Sequence, residues 1–164
     1  MSASPSTPQE ANARGPLIFL MAGEPSGDAL GARLMAALRR ETNGTVRFAG
    51  IGGERMIGEG LKSLFPMEEL SVMGLAEVLP RALSILRRIN ETAARVRALK
   101  PAAVVSVDAT GFCFRVERRL KGAGIPLIHY VAPMVWAWRA GRARRMARWY
   151  DHLMVLLPFE PPYF

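Results

Sequence analysis

Short apolar runs that alternate with longer amphipathic stretches constrain the fold of this chain more than any other feature. Leu17-Ile18-Phe19-Leu20-Met21-Ala22 is the first, and Val46-Arg47-Phe48-Ala49-Gly50-Ile51 the second. Ala103-Val104-Val105-Ser106-Val107, Leu127-Ile128-His129-Tyr130-Val131 and His152 to Leu157 follow. Each is bounded by Gly, Pro or Asp and is nearly continuous in apolar side chains, as parallel strands buried on both faces are. The stretches between them carry helical spacing. Ser26-Gly27-Asp28 offers a cap for a helix running to about Arg40, with Leu30, Leu34 and Leu38 on one face. Residues 81–99 place Ile85, Ile89, Ala93 and Val96 on one stripe and stop at Lys100-Pro101. Further helices are expected at 114–122 and 138–149. Strand alternating with helix predicts an α/β fold, an open, doubly wound and mostly parallel sheet.

The segment Met1 to Gly15 is polar and has no basic region followed by an apolar one, so it is expected to be a disordered tail rather than a signal peptide. The folded domain is expected over residues 16–164. After His152 to Leu157, the chain is expected to run out through Pro158-Phe159-Glu160-Pro161-Pro162-Tyr163-Phe164 with no helix to cover it. At 164 residues and 18.0 kDa there is room for one domain and little more. A chain this long buries enough surface to need no disulfide or metal staple. Its one cysteine, Cys113, excludes an internal disulfide framework and a Cys-based zinc finger, which fits a reducing, cytoplasmic address. The longest apolar run is far below the roughly twenty residues of a membrane span. Any membrane contact is therefore expected to be peripheral.

Charge points to anionic partners. Twenty-two Lys and Arg against fourteen Asp and Glu give +8, and Lys62, Lys100 and Lys121 are the only lysines. Arginine forks bind phosphates and carboxylates bidentately, so phosphorylated metabolites, nucleic acid and an anionic membrane face all fit.

In a doubly wound sheet, ligands bind beyond the carboxyl ends of the strands, and three loops there carry chemistry. In Ala22-Gly23-Glu24-Pro25-Ser26-Gly27-Asp28, two glycines permit a tight turn and the following helix presents free N–H groups to an anion. It matches neither a P-loop nor G-x-G-x-x-G, and turn plus helix cap is the commoner use of such residues. In Ser106-Val107-Asp108-Ala109-Thr110-Gly111-Phe112, Asp108 closes an apolar strand, where a partly desolvated carboxylate suits a general base; a helix N-cap is the alternative. The third loop, His129 to Arg139, packs a histidine, a tyrosine and two tryptophans together, a surface for sugars or acyl chains or else a piece of core. Directly after it, Arg139, Arg142, Arg144, Arg145 and Arg148 stand with no acid among residues 139–148. With flanking Trp149 and Tyr150 this suits an anionic membrane interface or a phosphorylated lipid. No RRM, KH, zinc-finger or helix-turn-helix pattern accompanies it, so nucleic acid is not expected. The three aspartates form no D-x-D, and H-E-x-x-H, C-x-x-C and G-x-S-x-G are absent. A metal site, metal hydrolysis and serine hydrolysis are accordingly not expected.

Ala22-Gly23-Glu24-Pro25-Ser26-Gly27-Asp28, Met67-Glu68-Glu69-Leu70-Ser71-Val72-Met73-Gly74, His129-Tyr130-Val131-Ala132-Pro133, Val135-Trp136-Ala137-Trp138-Arg139 and Leu157-Pro158-Phe159-Glu160 together resemble the lipid-A-disaccharide synthase family, in order and in spacing, from about Leu17 to Phe164. The resemblance implies the N-terminal, Rossmann-like half of a GT-B glycosyltransferase of Gram-negative bacteria. Such an enzyme is inverting and needs no cofactor. It joins UDP-2,3-diacylglucosamine to 2,3-diacylglucosamine 1-phosphate (lipid X), releasing UDP, at the inner face of the cytoplasmic membrane. By the same resemblance Asp108 is the base toward the acceptor 6-hydroxyl, and Glu24 accompanies it at the reacting centre. Ser26, Gly27, Asp28, His129, Trp136 and Arg139 are implied substrate contacts. Arg142, Arg144 and Arg145, with Arg139, are expected to hold headgroup phosphates, and Met73 and Val78 to face acyl chains. The family commonly has Asp-Ala-Pro-Asp-Phe-Asn where this chain has Asp108-Ala109-Thr110-Gly111-Phe112-Cys113, and a serine where Met134 stands. It also has a second half carrying the UDP-sugar site, so a truncated form is expected, completed by a separate C-terminal half or by self-association. The alternative is a non-catalytic module of the same fold that binds a phospholipid or a partner.

Overall fold

The computed structural model describes residues 15–70, 78–108, 111–132 and 148–164. In chain order these give β1 (Leu17–Ala22), α1 (Pro25–Glu41), β2 (Arg47–Ile51), α2 (Glu54–Gly58), β3 (Lys62–Ser63), α3 (Val78–Leu99), β4 (Ala103–Val107), α4 (Gly111–Leu120), β5 (Leu127–Tyr130) and β6 (His152–Met154). The strands form one sheet in the order β3-β2-β1-β4-β5-β6, and every adjacent pair is parallel. The chain starts in the middle, builds outward to β3, then returns to β1's other side. That reversal puts a crevice at the carboxyl ends of β1 and β4, where open α/β sheets bind their ligands.

Two core layers follow from the two-residue period of the strands. Phe19 and Met21 of β1 and Val104 of β4 face α3 and α4, where Ile89, Ala93, Val96, Val116 and Leu120 complete one cluster. Leu20, Ala22, Val105 and Val107 face the other way, onto Met35 of α1 and Met56 of α2. β1 has no exposed face from Phe19 to Ala22, which is why its sequence shows no alternation. Burying a Phe or Leu side chain is worth roughly 1.5–3 kcal/mol, so β1 and β4 anchor the sheet.

Most expected elements appear near their predicted bounds. α3 stops at Leu99, and Lys100 adopts a left-handed φ of 45° before Pro101. Several details differ from expectation. Val131 lies outside β5, at a left-handed φ of 71°. Val46 lies outside β2, its N–H on the Thr42 hydroxyl at 3.3 Å. The helix expected at 114–122 begins at Gly111. The last strand ends at Met154 instead of Leu157, because the Glu160 carboxylate accepts the N–H groups of Leu156 and Leu157 at 3.1 and 2.9 Å and folds that segment back. A single 3-10 turn, Pro161–Tyr163, follows where no helix was expected. β3 and α2 were not foreseen, being too short to show a period. The expected tail and most of the expected helix 138–149 lie outside the described residues. No helix among the described residues is long and apolar enough to cross a membrane.

Candidate functional site

At the crevice, the loop after β1 meets the loop after β4. α1 begins with Pro25 in its first turn, where a missing N–H costs nothing, and Glu24 stands at the N-cap in extended conformation with its exposed side chain making no capping bond. Ser26, one residue into the helix, donates its hydroxyl to Asp108 Oδ2 at 2.7 Å. Gly27 makes that reach possible. A Cβ there would lie 3.0 Å from the Val107 carbonyl and 3.5 Å from the Asp108 Cβ, so only glycine lets α1 sit this close to β4. Asp108 itself takes a left-handed φ of 52°, which turns the chain sharply out of the strand. Glu24, Ser26, Gly27 and Asp108, all singled out in the sequence, are thus gathered at one point of the sheet.

Asp28 and His129 are at the same end but turned inward. Asp28 is buried, and its carboxylate accepts the backbone N–H groups of Gly53 at 2.8 Å and of Arg55 and Met56 at 3.1 Å each. An anion on a helix N-terminus is electrostatically favourable, and here it ties α1 to α2. His129 is fully buried in β5. Its Nδ1 shares a 2.6 Å hydrogen bond with the Ser106 hydroxyl, and its ring lies 4.9 Å from that of Tyr150. Burial lowers its pKa to about 4, opposed by the Val131 backbone and the Asp108 charge, so the ring is neutral near pH 7. Met73, Trp136, Arg139, Arg142, Arg144 and Arg145, with Thr110 and Met134, lie outside the described residues, as does the side chain of Val78.

A buried acid escaped the sequence reading. Glu117 of α4 is 3% exposed, and its Oε2 accepts the Tyr150 hydroxyl at 2.7 Å. Burial drives its pKa up to about 7, opposed by the bond from Tyr150. Tyr150 is raised in turn by burial and by the neighbouring Glu117. The signal was present, since Cys113, Val116, Glu117 and Leu120 share one face at helical spacing and all are buried. A carboxylate on an apolar stripe marks a buried charge. Among the described residues no group of His, Cys, Asp and Glu is arranged to hold a metal ion.

Comparison with known proteins gives consistent matches. A family model described as lipid-A-disaccharide synthetase matches residues 18–164. The lipid-A-disaccharide synthase of Rhodospirillum centenum is 64% identical over 150 residues, which cover 90% of this chain and 37% of that one. The same-named protein of Ruegeria pomeroyi is 54% identical over 147 residues (89% and 36%), and that of Gluconobacter oxydans 47% identical over 150 (92% and 36%). The chain therefore spans a little over a third of the length of these curated relatives. Among solved structures, MurG of Acinetobacter baumannii superposes with a TM-score of 0.57 at 14% identity, over 88% of this chain and 42% of that one. That likeness speaks to the fold.

Proposed function

Since this chain belongs to the lipid-A-disaccharide synthetase family, we propose that it forms the acceptor side of an inverting glycosyltransferase, with Asp108 as the general base. The acceptor is 2,3-diacylglucosamine 1-phosphate and the donor UDP-2,3-diacylglucosamine. Asp108 takes the proton of the acceptor 6-hydroxyl as its oxygen bonds to the donor's anomeric carbon and the bond to UDP breaks. The observation that carries this reading is the 2.7 Å Ser26–Asp108 bond at the crevice between β1 and β4. By fixing Oδ2 it orients the carboxylate, so that proton transfer needs no search over rotamers. Glu24 flanks the reacting centre, and the N–H groups of α1 face the acceptor's phosphate side. Asp28 and His129 support the loops from beneath. A peripheral position on the inner face of the cytoplasmic membrane is favoured by the +8 charge. Arg139, Arg142, Arg144 and Arg145 supply the phosphate contacts and Met73 the acyl contact in this proposal.

The test joins this chain to the remaining C-terminal portion of the Rhodospirillum centenum relative and measures UDP release with both substrates in detergent micelles. Asp108→Asn is expected to lower release by about 10²–10⁴ while leaving acceptor binding intact. Release unaffected by the substitution would refute the assignment of the base. Acceptor binding by the chain with no release from the chimera would assign a lipid-binding module instead.

A further inference from the structure

Four polar side chains meet in the layer between the sheet and α4, in a core that is otherwise apolar. Ser106 and His129 are register partners on β4 and β5, wholly buried and joined at 2.6 Å. Behind them, Tyr150 stacks near the His129 ring and donates to Glu117. Two atoms of this cluster, His129 Nε2 and Glu117 Oε1, are buried with no hydrogen-bond partner among the described residues. A buried polar atom left so has given up its hydration with nothing in return. An apolar pair at 106 and 129 would fill the space without that cost, as Val104 and Leu127 do two residues earlier on the same face. Filling the core does not by itself call for polar side chains at these positions.

Its location supplies a reason. The Ser106–His129 pair lies one rung below Val107–Tyr130, the last rung of β4 and β5. Immediately beyond, both strands leave the sheet through left-handed residues, Asp108 at φ 52° and Val131 at φ 71°. A β-branched residue at positive φ is strained and persists only where its surroundings over-determine it. The Asp108 N–H reaches the Tyr130 carbonyl at 3.0 Å, and the N–H groups of Val131 and Ala132 share the Met154 carbonyl at 3.1 Å. Both turns depend on the relative placement of β4, β5 and β6 at this rung. Apolar side chains could slide there, whereas an O–H to ring-nitrogen bond holds one distance and one direction.

We propose that the Ser106–His129 hydrogen bond, braced by Tyr150 and Glu117, is a positioning device that fixes the left-handed turns at Asp108 and Val131 and so aims the Asp108 carboxylate at Ser26. Its consequence for catalysis rests on the reading of Asp108 as the base, but the positioning itself does not. His129, Ser106, Tyr150 and Glu117 are positioning residues, since none reaches the surface of the crevice.

The test is residue-resolved amide exchange by NMR on the whole chain, comparing wild type with Ser106→Ala, His129→Leu, His129→Asn and Glu117→Gln. His129→Leu and Ser106→Ala are expected to speed exchange at Asp108, Val131 and Ala132 by at least about tenfold, leaving β1 amides such as Leu20 protected. His129→Asn, whose amide can stand near the Nδ1 position, is expected to restore slow exchange. A purely structural role would instead loosen the whole sheet together, and that result, or unchanged exchange at 108 and 131 in folded variants, overturns the proposal. Ser106→Ala removes a single hydroxyl and guards against variants that fail to fold; Glu117→Gln keeps both the shape and an acceptor for the Tyr150 hydroxyl, so with it Asp108, Val131 and Leu20 should all exchange as in wild type. In the chimera, His129→Leu is expected to lower kcat at least about tenfold with acceptor KM held. If the wild-type chimera shows no turnover, the functional reading fails while the exchange data still decide the positioning.

Discussion

Glu117 and His129 impose opposite pH dependences on folding, and single substitutions should uncover each. The Glu117 carboxyl moves from its ordinary 4.5 to about 7 in the folded chain. Between those values the folded state holds a proton that the unfolded chain has released, so stability falls as pH rises. His129 moves from 6.5 down to about 4. There the unfolded chain binds a proton that the folded state refuses, so stability rises with pH. Each interval spans about 2.5 pH units, worth about 3 kcal/mol at 1.36 kcal/mol per unit. In wild type the two slopes cancel between about pH 4.5 and 6.5. Glu117→Gln removes the falling limb, so relative to wild type it should gain about 3 kcal/mol as pH goes from 4.5 to 7. His129→Leu removes the rising limb and should gain a similar amount, about 3 kcal/mol, as pH goes from 6.5 down to 4. Urea unfolding followed by circular dichroism from pH 4 to 8, with unchanged m-values, reads both differences. Two flat difference curves, within about 0.5 kcal/mol, would show that neither group is held in the folded state as its burial demands.

Two further substitutions address the loop geometry. Asp28→Ala strands three backbone N–H groups at the start of α2 and should cost about 3 kcal/mol in urea unfolding, with Asp28→Asn recovering part of it. Gly27→Ala drives a Cβ against the Val107 carbonyl, and should cost about 1–3 kcal/mol and, in the chimera, reduce UDP release by more than its stability loss explains, because α1 carries Ser26 away from Asp108.

Strand and helix placement were legible in the sequence because both rest on local periodicity. The run from Leu17 to Ala22 reads as a buried strand, being short, apolar and bounded by Pro16 and Gly23, and Lys100-Pro101 stops α3 where it actually ends. The loops after β1 and β4 were legible as site candidates for a similar reason, since parallel strands expose their carboxyl-end loops on one edge. What those loops do to each other was not. Ser26 and Asp108 are 82 residues apart, and their bond exists only because β1 and β4 are neighbours and Gly27 leaves room between them.

Asp28 and His129 show the same limit from the other side. In the sequence each is a polar residue beside a candidate site, equally able to face a ligand or the core. The fold turned Asp28 onto the N-terminus of α2, an element too short to predict, and sealed His129 between Ser106 of β4 and Tyr150. Composition and spacing determined that this chain is an α/β sheet, with its candidate site residues in the loops at the strand ends. Which polar groups meet across that sheet, and which of them water never reaches, depended on strand order, and strand order is set by packing between segments far apart in the chain.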